Sequence, residues 1–222
     1  MAEHKIEIDH VSKIMKKNRI LNDITVTIES GKIYGLFGRN GSGKTMLLRM
    51  IAGLIHPTSG QVKIDGKILH KEMDFPESIG VLIETPDFWK GYTGKKVLKT
   101  LASIKNQITE QEIDGALRRV GLDPEDKRTI RKYSLGMKQR LGIAQAIMET
   151  PDILLLDEPT NALDKSGVMQ IREMLREEAE RGAIIVIASH NPQDLKYCDH
   201  YLEIEEGTVR ECGKEVMYEE FH

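Results

Sequence analysis

Between two apolar runs, Ile33-Tyr34-Gly35-Leu36-Phe37 and Met46-Leu47-Leu48-Arg49-Met50-Ile51, the chain reads Gly38-Arg39-Asn40-Gly41-Ser42-Gly43-Lys44-Thr45. This is the phosphate-cradling pattern GxxxxGK[ST], and it constrains the fold more than any other segment. Gly38, Gly41 and Gly43 let the backbone wrap tightly around Asn40 and Ser42 with its N–H groups pointing inward. Lys44 can neutralise outer phosphates, and the Thr45 hydroxyl can ligate Mg²⁺; each charge-assisted bond contributes about 1.5–3 kcal/mol. The first run reads as a buried strand entering the loop, and the second as a helix leaving it, whose positive dipole end faces the same anion. A glycine-rich turn with a surface lysine would explain the loop but not its flanks. The reading is a nucleoside triphosphate site.

A chain of 222 residues can hold one large domain, or a core with an inserted lobe. Its net charge of −3, from 32 basic and 35 acidic residues, gives no broad surface for nucleic acid, and none is expected as a partner. Cys198 and Cys212 form no CxxC pair, which suits a reducing compartment. The segment Met1 to Ile6 alternates charge with apolarity and lacks the apolar stretch of a signal peptide, which predicts a chain that starts folded and cytosolic. The longest apolar runs, near Ile153–Leu156 and Ala183–Ala188, fall far short of the about 20 residues that span a bilayer. Any membrane role must then come through a partner.

Strand-like alternation marks residues 6–8 and 24–28, with Ile24, Val26 and Ile28 on one face, and Val62 to Gly66 reads as a strand entering a tight hairpin. Ile79 to Ile83 is a further apolar strand. Helical spacing follows, in Val97, Leu98, Leu101 and Ala102, then in Ile113, Ala116, Leu117 and Val120; such stripes read as plain core. Strand character returns at Ile153–Leu156 and Ile184–Ile187, around a helix that carries Val168, Ile171 and Leu175. Continuous apolar strands with a helix between them imply a parallel sheet covered on both faces. The expected architecture is one α/β domain over 1–222, with a mainly parallel sheet, an amino-terminal antiparallel β part and a helical lobe inserted near 88–150.

Asp157-Glu158-Pro159 follows the run that ends at Leu156, at the carboxyl end of a buried strand, where parallel sheets bind ligands. Asp157 is placed to hold Mg²⁺. Glu158, on the strand's alternate side, is placed to reach the water that attacks the γ-phosphate. An acidic helix start would be the plain alternative, and the phosphate loop tips the balance toward chemistry. His190 follows Ser189 at the end of another apolar strand, so its imidazole can donate to the same phosphate.

Ser134-Leu135-Gly136-Met137-Lys138-Gln139-Arg140 begins a helix with Ser134 at the N-cap and Leu141, Ala144 and Met148 on one face. Tyr133 to Met137 with Gln139-Arg140 resembles the signature motif of ATP-binding cassette ATPases. The order of motifs is also similar: signature, then Asp157-Glu158, then Asn161-Ala162-Leu163-Asp164, which resembles the D-loop of that family. The likeness runs over nearly the whole chain. It implies the P-loop NTPase fold and a head-to-tail dimer in which one copy's phosphate loop and the other's Ser134 and Gly136 enclose each ATP.

Four positions depart from the family pattern: Arg39 replaces a common proline and Leu135 a common glycine, neither expected to abolish binding, and two others bear on the metal and the base. Glu84 stands where a glutamine usually touches Mg²⁺ and senses the transporter, and Met15 stands where an aromatic ring usually stacks on adenine. A glutamate can still bind the metal, and a thioether can pack on a flat base. Glu84 and the wording Tyr133 to Gly142 resemble the ATPase subunits of bacitracin and lantibiotic exporters. The resemblance therefore implies an ATPase on the inner face of the plasma membrane that drives a separate membrane permease. An ATP-switched assembly protein outside transport is the rival.

Overall fold

A computed structural model describes residues 4–220; Met1 to Glu3 of the amino-terminal segment discussed above lie outside the described residues. Two long antiparallel strands, β1 (Lys5–Met15) and β2 (Asn18–Glu29), open the chain. Then come β3 (Ile33–Phe37), α1 (Lys44–Ile51), β4 (Ser59–Ile64), β5 (Lys67–Ile68) and β6 (Ile79–Leu82). The next segment carries α2 (Gly94–Ala102), α3 (Glu110–Arg119) and α4 (Leu135–Ile147). The chain closes with β7 (Ile153–Asp157), α5 (Lys165–Glu180), β8 (Ile184–Ala188), α6 (Pro192–Leu195), β9 (His200–Glu205), β10 (Thr208–Cys212) and α7 (Lys214–Glu220).

These strands form two sheets. A four-stranded sheet has the order β2-β1-β4-β5, and a six-stranded sheet has the order β10-β9-β3-β8-β7-β6. In the latter only the β9–β10 pair is antiparallel. The mainly parallel α/β reading and the amino-terminal antiparallel part thus match the structure. The hairpin expected at Val62 to Gly66 is present: Asp65 and Gly66 both take positive φ, 51° and 80°, the geometry that suits a two-residue turn between β4 and β5.

Burial follows strand alternation. Ile153 and Leu155 join Tyr34, Leu36, Ile184 and Val186 in a core beneath the antiparallel sheet and α1. Leu154 and Leu156 join Phe37, Ile185 and Ile187 on the opposite face, together with α2 to α5. Both faces of β3, β7 and β8 are therefore dry, and each fully buried Leu or Ile contributes about 1.5–3 kcal/mol. The stripes Val97, Leu98, Ile113 and Leu117 enter the second core, as plain packing predicts.

The helices α2 and α3 start at Thr93 and Thr109, whose hydroxyl oxygens accept the backbone N–H of Lys96 and Glu112; Thr109 and Glu112 complete a capping box. Ser134 caps α4 by accepting from the Met137 N–H at 3.2 Å. The helix α4 is buried on most sides and packs on β6, α2 and α3. Among the described residues no helix is long and apolar enough to cross a membrane. Burial pushes the Cys198 thiol up to about 12, so it behaves as a small apolar side chain.

Candidate functional site

Because β3, β8 and β7 lie side by side and parallel, their carboxyl ends open at one edge. The phosphate loop leaves β3, Ser189 and His190 leave β8, and Asp157 closes β7. Three segments far apart in sequence thus share one edge, where ligands of such sheets bind.

The loop is shaped by glycine where nothing larger fits. Gly38 has φ 145°, and a Cβ there would stand 2.1 Å from the carbonyl oxygen of Ile204. The Lys44 ammonium, only 7% exposed, folds back to donate to the carbonyls of Gly38 at 2.6 Å and Arg39 at 3.1 Å. Burial lowers its pKa, opposed by the nearby Glu158 and Asp157 carboxylates. Thr45 donates its hydroxyl to Asp157 Oδ2 at 2.6 Å, which joins the loop to β7 across 112 residues. Burial raises the Asp157 pKa, while that hydrogen bond works against the rise.

Glu158 does not follow the alternation expected of a strand residue. β7 ends at Asp157, and Glu158 stands in the left-handed region at φ 49°, so the turn sets its direction. This conformation costs a non-glycine residue about 1–2 kcal/mol, and the following Pro159 disfavours helical values further. Neighbours hold it there. The His190 N–H donates to Glu158 Oε1 at 3.0 Å, the His190 imidazole Nδ1 pairs with the same oxygen, and Ser189 Oγ lies 3.1 Å from Oε2. Ser189 is in turn 2.9 Å from the buried Asp194 carboxylate. Neither Ser189 nor Asp194 stood out in the sequence, since a serine and an aspartate near a helix start usually read as capping groups.

The loop fits a polyphosphate. Ser42 Oγ is buried and has no hydrogen-bond partner among the described residues, and Gly41 faces open space with no atom within 4 Å of where a Cβ would stand. Thr45 and Asp157 offer hard oxygens suited to Mg²⁺. Among the described residues no group of three or more His, Cys, Asp and Glu side chains can hold a metal, so phosphates and water would complete its shell. Glu84 takes φ 64° after β6, and its carboxylate binds the Arg49 guanidinium of α1 at 2.6 Å. That arginine partly offsets the charge that a glutamate adds at a glutamine position. Met15 sits half-exposed at the end of β1, beside the left-handed Lys16 and Lys17 of the hairpin.

Ser134 and Gly136 belong to α4 rather than to the sheet edge. The cap uses a lone pair of Ser134, so its O–H has no acceptor among the described residues and is available as a donor at an exposed helix start. Gly136 approaches Ala162 of its own chain, where a Cβ would come within 2.7 Å of the carbonyl oxygen. The tolerance for close backbone approach is therefore already used inside one chain.

Comparison with known proteins follows the same outline. The family model described as ABC transporter matches residues 21–161. An uncharacterized ABC transporter ATP-binding protein of Bacillus subtilis, YybJ, is 48% identical over 96% of this chain and 98% of its own length. The lantibiotic transport ATP-binding protein SrtF of Streptococcus pyogenes is 35% identical over 97% of this chain and 91% of its own. The bacitracin transport ATP-binding protein BcrA of Enterococcus faecalis is 41% identical, with 86% of this chain matching 62% of it. Among solved structures, an ATP-binding subunit of an ABC transporter superposes with TM-score 0.84 at 26% identity, covering 97% of this chain and 92% of that one. A dimeric ATP-binding cassette in a post-hydrolysis state with ADP and Pi shares the fold, with TM-score 0.85 at 23% identity over 94% and 98% of the two chains.

Proposed function

Since this chain belongs to the ABC transporter family, we propose that it is the ATP-hydrolysing subunit of an exporter and works through a separate membrane permease. The convergence of Lys44, Thr45, Asp157, Glu158 and His190 on one sheet edge carries this reading. ATP binding rests on the loop amides of Gly38 to Gly43 and on Lys44, while Thr45, Asp157 and Glu84 are assigned to Mg²⁺. A cation held by these residues would supply charge screening to the phosphates. Glu158 directs the attacking water as general base, and His190 contacts the γ-phosphate and orients the Glu158 carboxylate to which it is bonded.

Completion of the site requires a second copy. Ser134 and Gly136 stand on α4 and present a free hydroxyl and a helix start outward, where a head-to-tail partner's nucleotide would meet them. The helices between 88 and 150 form the lobe that brings this surface to the partner. Binding of triphosphate favours the closed dimer, and hydrolysis releases it. The likeness to SrtF and BcrA supports a peptide antibiotic as cargo, and the subunit works peripherally on the cytoplasmic face of the membrane.

Affinity capture from detergent-solubilised membranes tests this reading. Recovery of a polytopic membrane protein with the chain is the expected result. Recovery of soluble partners alone would assign the same ATPase to a regulatory assembly instead.

A further inference from the structure

Gln139 lies on α4 but faces inward, only 6% exposed. Its amide nitrogen donates to the carbonyl oxygens of Glu158 at 3.0 Å and Pro159 at 3.2 Å. Both partners are acceptors, so the two amide hydrogens are spent and the side chain has one orientation. The same stretch of chain touches α4 twice more. Gly136 packs under the Ala162 carbonyl, and the Arg140 guanidinium lies 3.6 Å from Asp164 while also holding the Val120 carbonyl and Gln170. Positions 136, 139 and 140 share one helix face. The helix that starts at Ser134 is thus keyed to the loop of Glu158, a residue held in a left-handed backbone conformation.

We propose that Gln139 is a positioning residue that couples the two nucleotide sites of the dimer. The inference rests on the head-to-tail dimer described above. In that arrangement a chain's Glu158 serves its own nucleotide, while its Ser134 serves the nucleotide held by the partner. Engagement of Ser134 moves or fixes α4, and Gln139 passes that constraint to the backbone carbonyl of Glu158. One nucleotide thereby senses the other through two hydrogen bonds within a single chain.

Titration with ATP and Mg²⁺ in a Glu158→Gln background, which keeps the residue-158 carbonyl, separates coupling from hydrolysis. Nucleotide binding is followed by fluorescence and dimer mass by light scattering. The Glu158→Gln parent is expected to bind cooperatively, with a Hill coefficient approaching about two. Adding Gln139→Met, which keeps the length but has no N–H, should lower that coefficient toward one and raise the ATP concentration for dimerisation about 2- to 30-fold, with monomer affinity unchanged. Should Gln139→Met fail to fold, Gln139→Glu carries the same expectation, because it faces the two carbonyls with an acceptor. A parent that dimerises cooperatively, with a double variant that does so identically, overturns the coupling alone. A parent that stays monomeric overturns the dimer and the coupling together.

Discussion

Replacing Glu158 by glutamine tests the chemistry with little disturbance of the fold. In the native side chain, Oε1 accepts the His190 N–H at 3.0 Å and Oε2 lies 3.1 Å from Ser189 Oγ. Glutamine keeps an oxygen for the His190 N–H and turns its NH₂ toward Ser189. That hydroxyl can accept while its own hydrogen serves Asp194 at 2.9 Å. No buried group is left unpaired, so stability should change by no more than about 0.5 kcal/mol. What disappears is the basicity. Loss of a general base costs about 10²–10⁴ in rate, equal to about 2.7–5.4 kcal/mol on the barrier. Phosphate release under saturating ATP measures turnover, nucleotide binding is measured separately, and light scattering follows association. Binding should stay within about twofold of the parent while turnover falls by at least about a hundredfold and an ATP-bound dimer persists. Native turnover in this variant would refute the role given to Glu158.

Other perturbations probe the loop and its electrostatics. Gly38→Ala forces a Cβ against the Ile204 carbonyl oxygen at 2.1 Å, so it should cost about 3 kcal/mol or more and abolish nucleotide binding; Gly41→Ala, with φ 83° and no atom within 4 Å, should cost only about 1–2 kcal/mol, and urea denaturation of the pair checks the contrast. Burial raises the Asp157 pKa above 3.8, so the folded state holds that proton more tightly than the unfolded chain and loses stability as pH climbs from 3.8 through the raised value. Nucleotide-free Asp157→Asn should therefore melt higher than the parent at neutral pH and lose that advantage in acid. Calorimetry across a pH series would disprove this if the two melting curves coincided throughout.

What could be read from sequence divides along physical lines. β3, β7 and β8 were legible because a strand buried on both faces must be apolar throughout, and Ile33–Phe37, Ile153–Leu156 and Ile184–Ile187 have few other uses. The Ser134 cap was legible because a small hydroxyl residue there meets a local need. Glu158 was placed at the right edge but aimed by the wrong rule, since alternation stops when a strand ends and no local pattern announces a left-handed glutamate before a proline. Gln139 was legible only as a letter of the signature likeness, and its contacts stayed hidden for a related reason. Its value lies in carbonyls about twenty residues downstream, and a glutamine in a helix ordinarily reads as a solvent-facing residue. The Arg49–Glu84 pair was hidden in the same way, by a partner brought close only by the fold.

Strand order also governs when during synthesis the protein can become active. β3, which delivers the phosphate loop, lies between β8 and β9, whose pairing residues reach from Ile185 to Glu203. On a ribosome, the loop emerges early and then waits, flanked by two unfilled positions, until nearly the whole polypeptide has followed. Such long-range closure is slow and leaves apolar edges bare meanwhile. Truncation shortly after α5 should leave a nascent chain that has its phosphate-binding loop yet cannot assemble the sheet that supports it.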